Sequence, residues 1–108
     1  MLDLHDDRAL IAEYEEVHRV IWPEVAGHLR SNGVIDMTIH RLGTRLCMVM
    51  DTDDAVFDAD RMARAEAADP RLIAWERAMW RFQIATPWTP AGGKWVAAPK
   101  IFDLAMQP

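Results

Sequence analysis

The sequence has little cysteine and no cluster of positive charge. Its single cysteine, Cys47, excludes an internal disulfide and is typical of a protein from a reducing compartment. The chain has 12 Lys and Arg against 17 Asp and Glu, a formal net charge of −5. Because no basic run is available to bind a phosphate backbone, we do not expect a nucleic-acid partner.

Long apolar runs are also lacking. The longest fall well short of the roughly 20 residues that a membrane-spanning helix needs. The acidic start MLDLHDD lacks the positive charge of a secretory leader. We therefore expect a cytoplasmic protein with no membrane partner. The 108 residues, 51% of them hydrophobic, fit one globular domain, 1–108. Its core would be modest, so a partner subunit would help stability.

No familiar catalytic or metal-binding motif occurs. The chain has neither a glycine-rich phosphate loop nor a nucleophile elbow. Cys47 lies in the run RLCMVMD without a neighbouring base, so we interpret it as structural. The histidines at 5, 28 and 40 do not show metal-ligand spacing with His18. We therefore expect no metal.

Two helices are predicted in the first third of the chain. An aspartate at position 6 or 7 can cap the first helix. Its apolar positions follow helical spacing and are Leu10, Ile11, Tyr14, Val17, His18 and Ile21. Pro23 pushes Trp22 out of helical backbone and begins a second helix that extends to about Asn32. Trp22 is thus expected at the corner between the two helices.

A β-hairpin is predicted in VIDMTIHRLGTRLCMVMDT, where two alternating runs flank Gly43-Thr44. With these two residues as the loop, the cross-strand pairs are Met37–Met50, Ile39–Met48 and Arg41–Leu46. The opposite face carries Thr38, His40, Cys47 and Val49. That face is too apolar to be plainly solvated, so we expect a cover, and in so short a chain the cover is a second subunit.

The second half of the chain predicts two more helices, a loop and a strand. The segment AVFDADRMARAEAA forms a helix capped by Asp53 or Asp54, and Asp69-Pro70 separates it from a fourth helix. The fourth helix carries Glu76 in its apolar stripe. Glu76 either points inward, where a carboxylate needs a hydrogen-bonding partner, or lies in solvent. A structured loop, ATPWTPAGGKWVAAP, then precedes a last strand in KIFDLAM.

This order of elements predicts an α+β sandwich, with a small antiparallel sheet and helices on one face. Tyr14 and His18, four residues apart on the first helix, are neighbours on its surface. One interpretation makes them core residues. The other is a ligand pocket, since a phenol, an imidazole and the nearby Trp22 indole form an amphipathic concavity. Such rings suit neutral, polyhydroxylated ligands such as sugars.

The segments that carry these residues resemble the L-rhamnose mutarotase family. EYEEVHRVIWPEV resembles its Y-x3-H-x3-W-P-E signature, and the similarity continues through SNGVIDMTIHRLGTRLCMVM, DPRLIAWERAMW and KIFDL. The resemblance implies a homodimeric α/β-barrel of ferredoxin-like protomers. It also implies a cofactor-free isomerase that interconverts the anomers of a 6-deoxy-L-sugar, a small monosaccharide. In that family His18 would donate a proton, Tyr14 would bind the sugar and Trp75 would line the pocket.

The chain departs from the rhamnose-specific pattern at three places. Trp75-Glu76 stands where two adjacent tryptophans are typical, and Met37 replaces a tyrosine; both changes fall in the implied substrate pocket. The first strand is also shorter than in the family. Because the region between Met48 and Pro90 looks more like the family's L-fucose branch, L-fucose is the preferred substrate and L-rhamnose the alternative. A further alternative is a non-catalytic dimeric module that holds a small ligand.

General acid–base chemistry is what mutarotation requires. A proton is delivered to the ring oxygen and another is removed from the anomeric hydroxyl, which opens the ring to the aldehyde. We expect His18 to protonate the ring oxygen and Tyr14 to orient a sugar hydroxyl. Trp22 and Trp75 would wall the pocket, and Glu76 would bind a hydroxyl or act as the partner base.

Overall fold

Four helices lie against one face of a four-stranded antiparallel sheet in the computed structural model, which describes residues 1–108. In chain order the elements are β1 (Leu2–Leu4), α1 (Arg8–Val17), α2 (Pro23–Ser31), β2 (Val34–Leu42), β3 (Arg45–Thr52), α3 (Ala59–Ala68), α4 (Pro70–Trp80), β4 (Gln83–Ile84) and a 3-10 turn (Leu104–Met106). The strand order across the sheet is β2-β3-β1-β4. The predicted α+β class with a small antiparallel sheet is confirmed.

The β2–β3 hairpin has the predicted register. The pairs are Met37–Met50, Ile39–Met48 and Arg41–Leu46. Gly43 has a φ of 60°, and no other hairpin residue has a positive φ, as a glycine-first tight turn requires. Strand alternation directs the methionines toward the helices and leaves Thr38, His40, Cys47 and Val49 exposed on the opposite face.

The first helix is shorter than its apolar stripe predicted. Asp7 caps it by accepting a hydrogen bond from the Leu10 N–H, but the helix ends at Val17 and not near residue 21. Because Pro23 excludes helical backbone at Trp22, the chain uses residues 18–22 to turn into α2. His18 is the C-cap residue of α1 and Trp22 the N-cap residue of α2, so the predicted corner is confirmed.

The third helix begins later than predicted. Its cap is Asp58, which accepts a hydrogen bond from the Arg61 N–H, and not Asp53 or Asp54. The Asp53 carbonyl instead accepts from the N–H groups of residues 56 and 57, closing a separate turn. This turn packs on Gly33, where an added Cβ would lie 2.9 Å from the backbone nitrogen of residue 57. The fourth helix begins as predicted, with Asp69 as its cap and proline in the first turn.

The prediction of a last strand in KIFDLAM is wrong. The fourth strand is Gln83–Ile84, directly after α4, and it pairs with β1. This two-residue strand occupies the position beside β1 and offers little edge for another, so the C-terminal segment has no ladder partner in its own chain. Asp103 caps a 3-10 turn there, and Ile101 is 96% exposed. The preceding loop is structured, since Met1 and Val96 exchange two backbone hydrogen bonds.

The core lies between α1, α4 and the central strands. Its buried cluster consists of Leu4, Tyr14, Leu46, Met79 and Phe82, and Trp75 and Trp95 pack against it. The longest helix has 11 residues, and none has the length and apolar character to cross a membrane.

Candidate active site

A cavity of about 820 Å³ lies between the helices and the hairpin, a volume typical of small-molecule sites. Of its 24 lining residues, 17 are hydrophobic, so the few polar side chains decide what it can bind. These are His18, His28, Glu66, Glu76, Arg77, Gln83 and Lys94, together with the hydroxyl group of Tyr14, which is counted among the 17. Five of the six predicted site residues line it, namely Tyr14, His18, Met37, Trp75 and Glu76.

Tyr14 and His18 are held together by the last turn of α1. The Tyr14 side chain is buried, and its ring centroid is 4.1 Å from that of His18. The His18 Nδ1 lies 2.7 Å from the Tyr14 carbonyl oxygen. Because a carbonyl can only accept, Nδ1 carries the hydrogen. In the neutral ring Nε2 is therefore unprotonated and able to accept a proton.

Burial sets the protonation states of this pair. Burial lowers the pKa of His18 below its ordinary value of 6.5, and the hydrogen bond to the Tyr14 carbonyl offsets part of that effect. Burial raises the pKa of the Tyr14 phenol above 10.0, with a smaller opposite effect from Gln83. Near neutral pH the site thus holds a neutral imidazole beside a protonated phenol.

Trp75 forms the aromatic wall beside this pair. Its ring centroid is 5.7 Å from that of His18 and 5.2 Å from that of Trp22, both in edge-on arrangement. Trp22 does not line the cavity; it lies behind Trp75, with the Arg71 guanidinium 4.3 Å from its ring centroid. Of the two predicted wall residues, Trp75 lines the cavity and Trp22 supports it.

Glu76 lies at the edge of the cavity in an ion pair. Its side chain is 50% exposed, and its Oε1 is 2.5 Å from the Nζ of Lys94, which is only 14% exposed. The Lys94 ammonium also lies 5.1 Å from the Trp80 ring centroid. Glu76 is thus neither an isolated inward carboxylate nor a freely solvated one, because a lysine of the C-terminal loop holds it at the cavity.

Five polar cavity residues were not predicted, namely His28, Glu66, Arg77, Gln83 and Lys94. Gln83 and Lys94 are the two that contact predicted site residues. Lys94 lies in a loop, next to Trp95, which packs against the core. No local sequence pattern predicts that this packing brings Lys94 to the cavity. Gln83 is 4% exposed in a short strand. A polar residue inside the otherwise apolar stretch FQIA, residues 82–85, was a signal that could have found it. Elsewhere on the cavity wall His28 and Glu66 contact each other at 3.2 Å. The structure has no group of three metal-ligating side chains.

The fold and the cavity define a small α+β protein with a largely apolar cavity of small-molecule size, lined by an imidazole whose Nδ1 is bound to a backbone carbonyl. A family model described as L-rhamnose mutarotase matches residues 1–104. Over 107 residues the chain is 48% identical to L-fucose mutarotase of Xanthomonas campestris pv. campestris, covering 97% of this chain and 85% of that protein. It is 33% identical over 107 residues to a UPF0734 protein of Dictyostelium discoideum, covering 95% of this chain and 85% of that protein.

The chain therefore belongs to the L-rhamnose mutarotase family, and its activity class is that of a carbohydrate isomerase that interconverts sugar anomers. The resemblance seen in the Tyr14, His18 and Trp22 signature is confirmed by both comparisons.

Proposed function

We propose that this protein interconverts the α and β anomers of a 6-deoxy-L-sugar, with L-fucose as its preferred substrate. The observation that carries the proposal is the placement of His18 in the cavity wall with its Nδ1 bound to a backbone carbonyl, which leaves Nε2 for a ligand. The similarity to an L-fucose mutarotase, at 48% identity, supports the choice of sugar. L-rhamnose is the second candidate, favoured by the description of the matching family model.

In the proposed mechanism His18 moves one proton between two oxygens. The neutral Nε2 removes the proton of the anomeric hydroxyl, and the imidazolium so formed protonates the ring oxygen as the bond from C1 to that oxygen breaks. Both oxygens are bonded to C1, so one nitrogen can serve both. The open aldehyde rotates about its C1–C2 bond and closes on its other face by the reverse steps. General acid–base catalysis of this kind contributes roughly 10² to 10⁴ in rate.

The other cavity residues bind and orient the sugar in this proposal. Tyr14 donates a hydrogen bond to a sugar hydroxyl, since its phenol stays protonated. Trp75 and Met37 supply apolar surface for the C–H faces and the C6 methyl group. Glu76 accepts from a hydroxyl at the edge of the cavity, and Trp22 supports Trp75 from behind.

We further propose that residues 1–108 are a single ferredoxin-like domain that acts as a homodimer. The antiparallel strand order β2-β3-β1-β4 supports the ferredoxin-like assignment. The exposed sheet face with Thr38, His40, Cys47 and Val49, where Val49 is 57% exposed, supports a second subunit as its cover. The single free cysteine supports the expectation of a cytoplasmic enzyme.

An anomer-exchange panel tests the proposed function. Saturation-transfer NMR on equilibrated L-fucose, L-rhamnose and D-sugars should show anomer exchange above the uncatalysed rate, fastest with L-fucose. His18→Ala should return exchange to the background, whereas His5→Ala, at an exposed histidine, should not. Equally slow exchange by wild type and His18→Ala on both L-sugars would refute the enzyme and leave a non-catalytic binding module. Glu76→Trp should shift preference toward L-rhamnose, and unchanged relative rates would remove Glu76 from sugar selection.

A further inference from the structure

Gln83 is a buried cavity residue whose side-chain amide is only half used. It lies on β4 opposite Leu4, is 4% exposed and lines the cavity. Its Nε2 lies 3.4 Å from the Tyr14 hydroxyl oxygen and donates a hydrogen bond to it. Its Oε1 is the only buried side-chain nitrogen or oxygen in the chain that lacks a hydrogen-bond partner.

An unpaired acceptor at this position needs a physical reason. Buried polar atoms are almost always hydrogen-bonded, because leaving one unpaired forfeits its interaction with water. The residue before it, Phe82, and its strand partner Leu4 are both buried and apolar, so an apolar side chain at 83 would avoid this cost. The glutamine is therefore explained if a group that enters the cavity completes its hydrogen bonding.

The Tyr14 hydroxyl restricts what that group can be. Since Tyr14 accepts from Gln83 through its oxygen, its own hydrogen is free for another acceptor. One bound group that accepts from the Tyr14 hydroxyl and donates to Gln83 Oε1 would close a three-membered hydrogen-bond cycle. A sugar hydroxyl does both, whereas a fluorine or an ether oxygen at the same place only accepts.

We propose that Gln83 is a substrate-binding residue that determines specificity, and that its Oε1 accepts a hydrogen bond from the same sugar hydroxyl that accepts one from Tyr14. The inference rests on the proposed function and deepens it, since it assigns to this pair the recognition of one free hydroxyl. Through Nε2 the glutamine also positions Tyr14. A sugar in which that hydroxyl is absent, methylated or replaced by fluorine would leave Oε1 unpaired again.

Binding measurements on a series of sugar analogues test this assignment without relying on turnover. Dissociation constants would be measured by NMR titration for L-fucose and for its 2-, 3- and 4-deoxy and deoxyfluoro derivatives. Gln83→Met removes both polar atoms at nearly constant length, and Gln107→Met, at the exposed C-terminal end, is the matched control. Circular dichroism and a thermal melt would establish that each variant is folded.

In wild type, affinity should fall about tenfold for both the deoxy and the deoxyfluoro derivative at one ring position, the effect of about one hydrogen bond. Gln83→Met should bind L-fucose about tenfold more weakly and should lose that discrimination, while Gln107→Met should behave as wild type. Should Gln83→Met fail to fold, Tyr14→Phe gives the same decision. It removes the Tyr14 donor and keeps the Gln83 acceptor, so L-fucose should still bind more tightly than both derivatives at that ring position. Equal affinities for all three sugars in folded Tyr14→Phe would overturn the assignment.

Two results with Gln83→Met would also overturn the assignment. One is that a folded Gln83→Met keeps every wild-type preference. The other is that its affinities all fall by one common factor, as expected if Gln83 only positions Tyr14. A different result tests the proposed function. If wild type did not speed anomer exchange of either L-sugar, the proposed function would be lost, even if the binding measurements confirmed the role of Gln83.

Discussion

Replacing His18 with asparagine separates the roles of its two ring nitrogens. An asparagine amide can donate to the Tyr14 carbonyl, as Nδ1 does at 2.7 Å, but it has no atom that exchanges a proton at the position of Nε2. The backbone turn after α1 should therefore persist while the proposed proton carrier is lost. The variant isolates chemistry from local structure better than a truncation to alanine.

The expected loss of rate follows from the mechanism. Removing a general acid–base group costs roughly 10² to 10⁴ in kcat, which is about 3–5 kcal/mol in the barrier. Stability should change less. The variant forfeits the ring contacts with Tyr14 and Trp75, at centroid distances of 4.1 Å and 5.7 Å, so its free energy of unfolding should fall by about 1–2 kcal/mol.

The assay is anomer exchange of L-fucose by saturation-transfer NMR, with the enzyme-free rate subtracted, alongside urea unfolding. A folded His18→Asn protein with kcat within about threefold of wild type would refute the assignment of His18 as the proton carrier, because such a group typically contributes roughly 10² to 10⁴ in rate. A loss of stability much larger than 2 kcal/mol would instead show that the asparagine fails to keep the bond to the Tyr14 carbonyl.

Three further predictions follow from burial and exposure. Because burial lowers the pKa of His18 below 6.5, kcat should be flat near neutral pH and fall on acidification with a midpoint below 6.5. A rise in kcat as pH falls through 6.5 would contradict the neutral imidazole proposed for the free enzyme. Above pH 6.5 the neutral His18 contributes its full share to the free energy of unfolding. This contribution should be lost as pH falls through the lowered pKa of His18, since the unfolded chain binds the proton first. Urea unfolding of wild type and of His18→Asn as a function of pH measures it. Val49→Arg on the exposed sheet face should yield monomers by sedimentation analysis. The control Val20→Arg, at a position 87% exposed between α1 and α2, should not. Equal dimer masses for both variants would exclude the exposed sheet face as the interface.

Local sequence signals predicted the hairpin and most helix starts. The register around Gly43 depends on strand alternation and one turn, and the start of α4 depends on the Asp69-Pro70 pair, so neighbouring residues suffice for both. The start of α3 was misplaced because aspartates at 53, 54 and 58 can each cap a helix. The choice among them depends on packing against Gly33, which is distant in sequence.

Elements and site residues that depend on distant partners were harder to predict. A strand as short as Gln83–Ile84 exists only because β1 pairs with it, and the apolar segment after residue 100 lacks such a partner. Tyr14, His18 and Trp75 were predicted to lie together, and the His18 ring lies beside each of the other two. Lys94 reaches Glu76 from a loop 18 residues away, a contact that no periodic pattern contains.

The bond between His18 and the Tyr14 carbonyl lets α1 itself set the orientation of the proposed proton carrier. In catalytic triads an acidic side chain from elsewhere in the fold orients the histidine and fixes its tautomer. Here a peptide group four residues earlier does so, and a peptide group cannot be removed by mutation. The orientation and tautomer of His18 thus depend only on residues 14–18, so a substitution elsewhere in the cavity wall leaves this hydrogen bond in place.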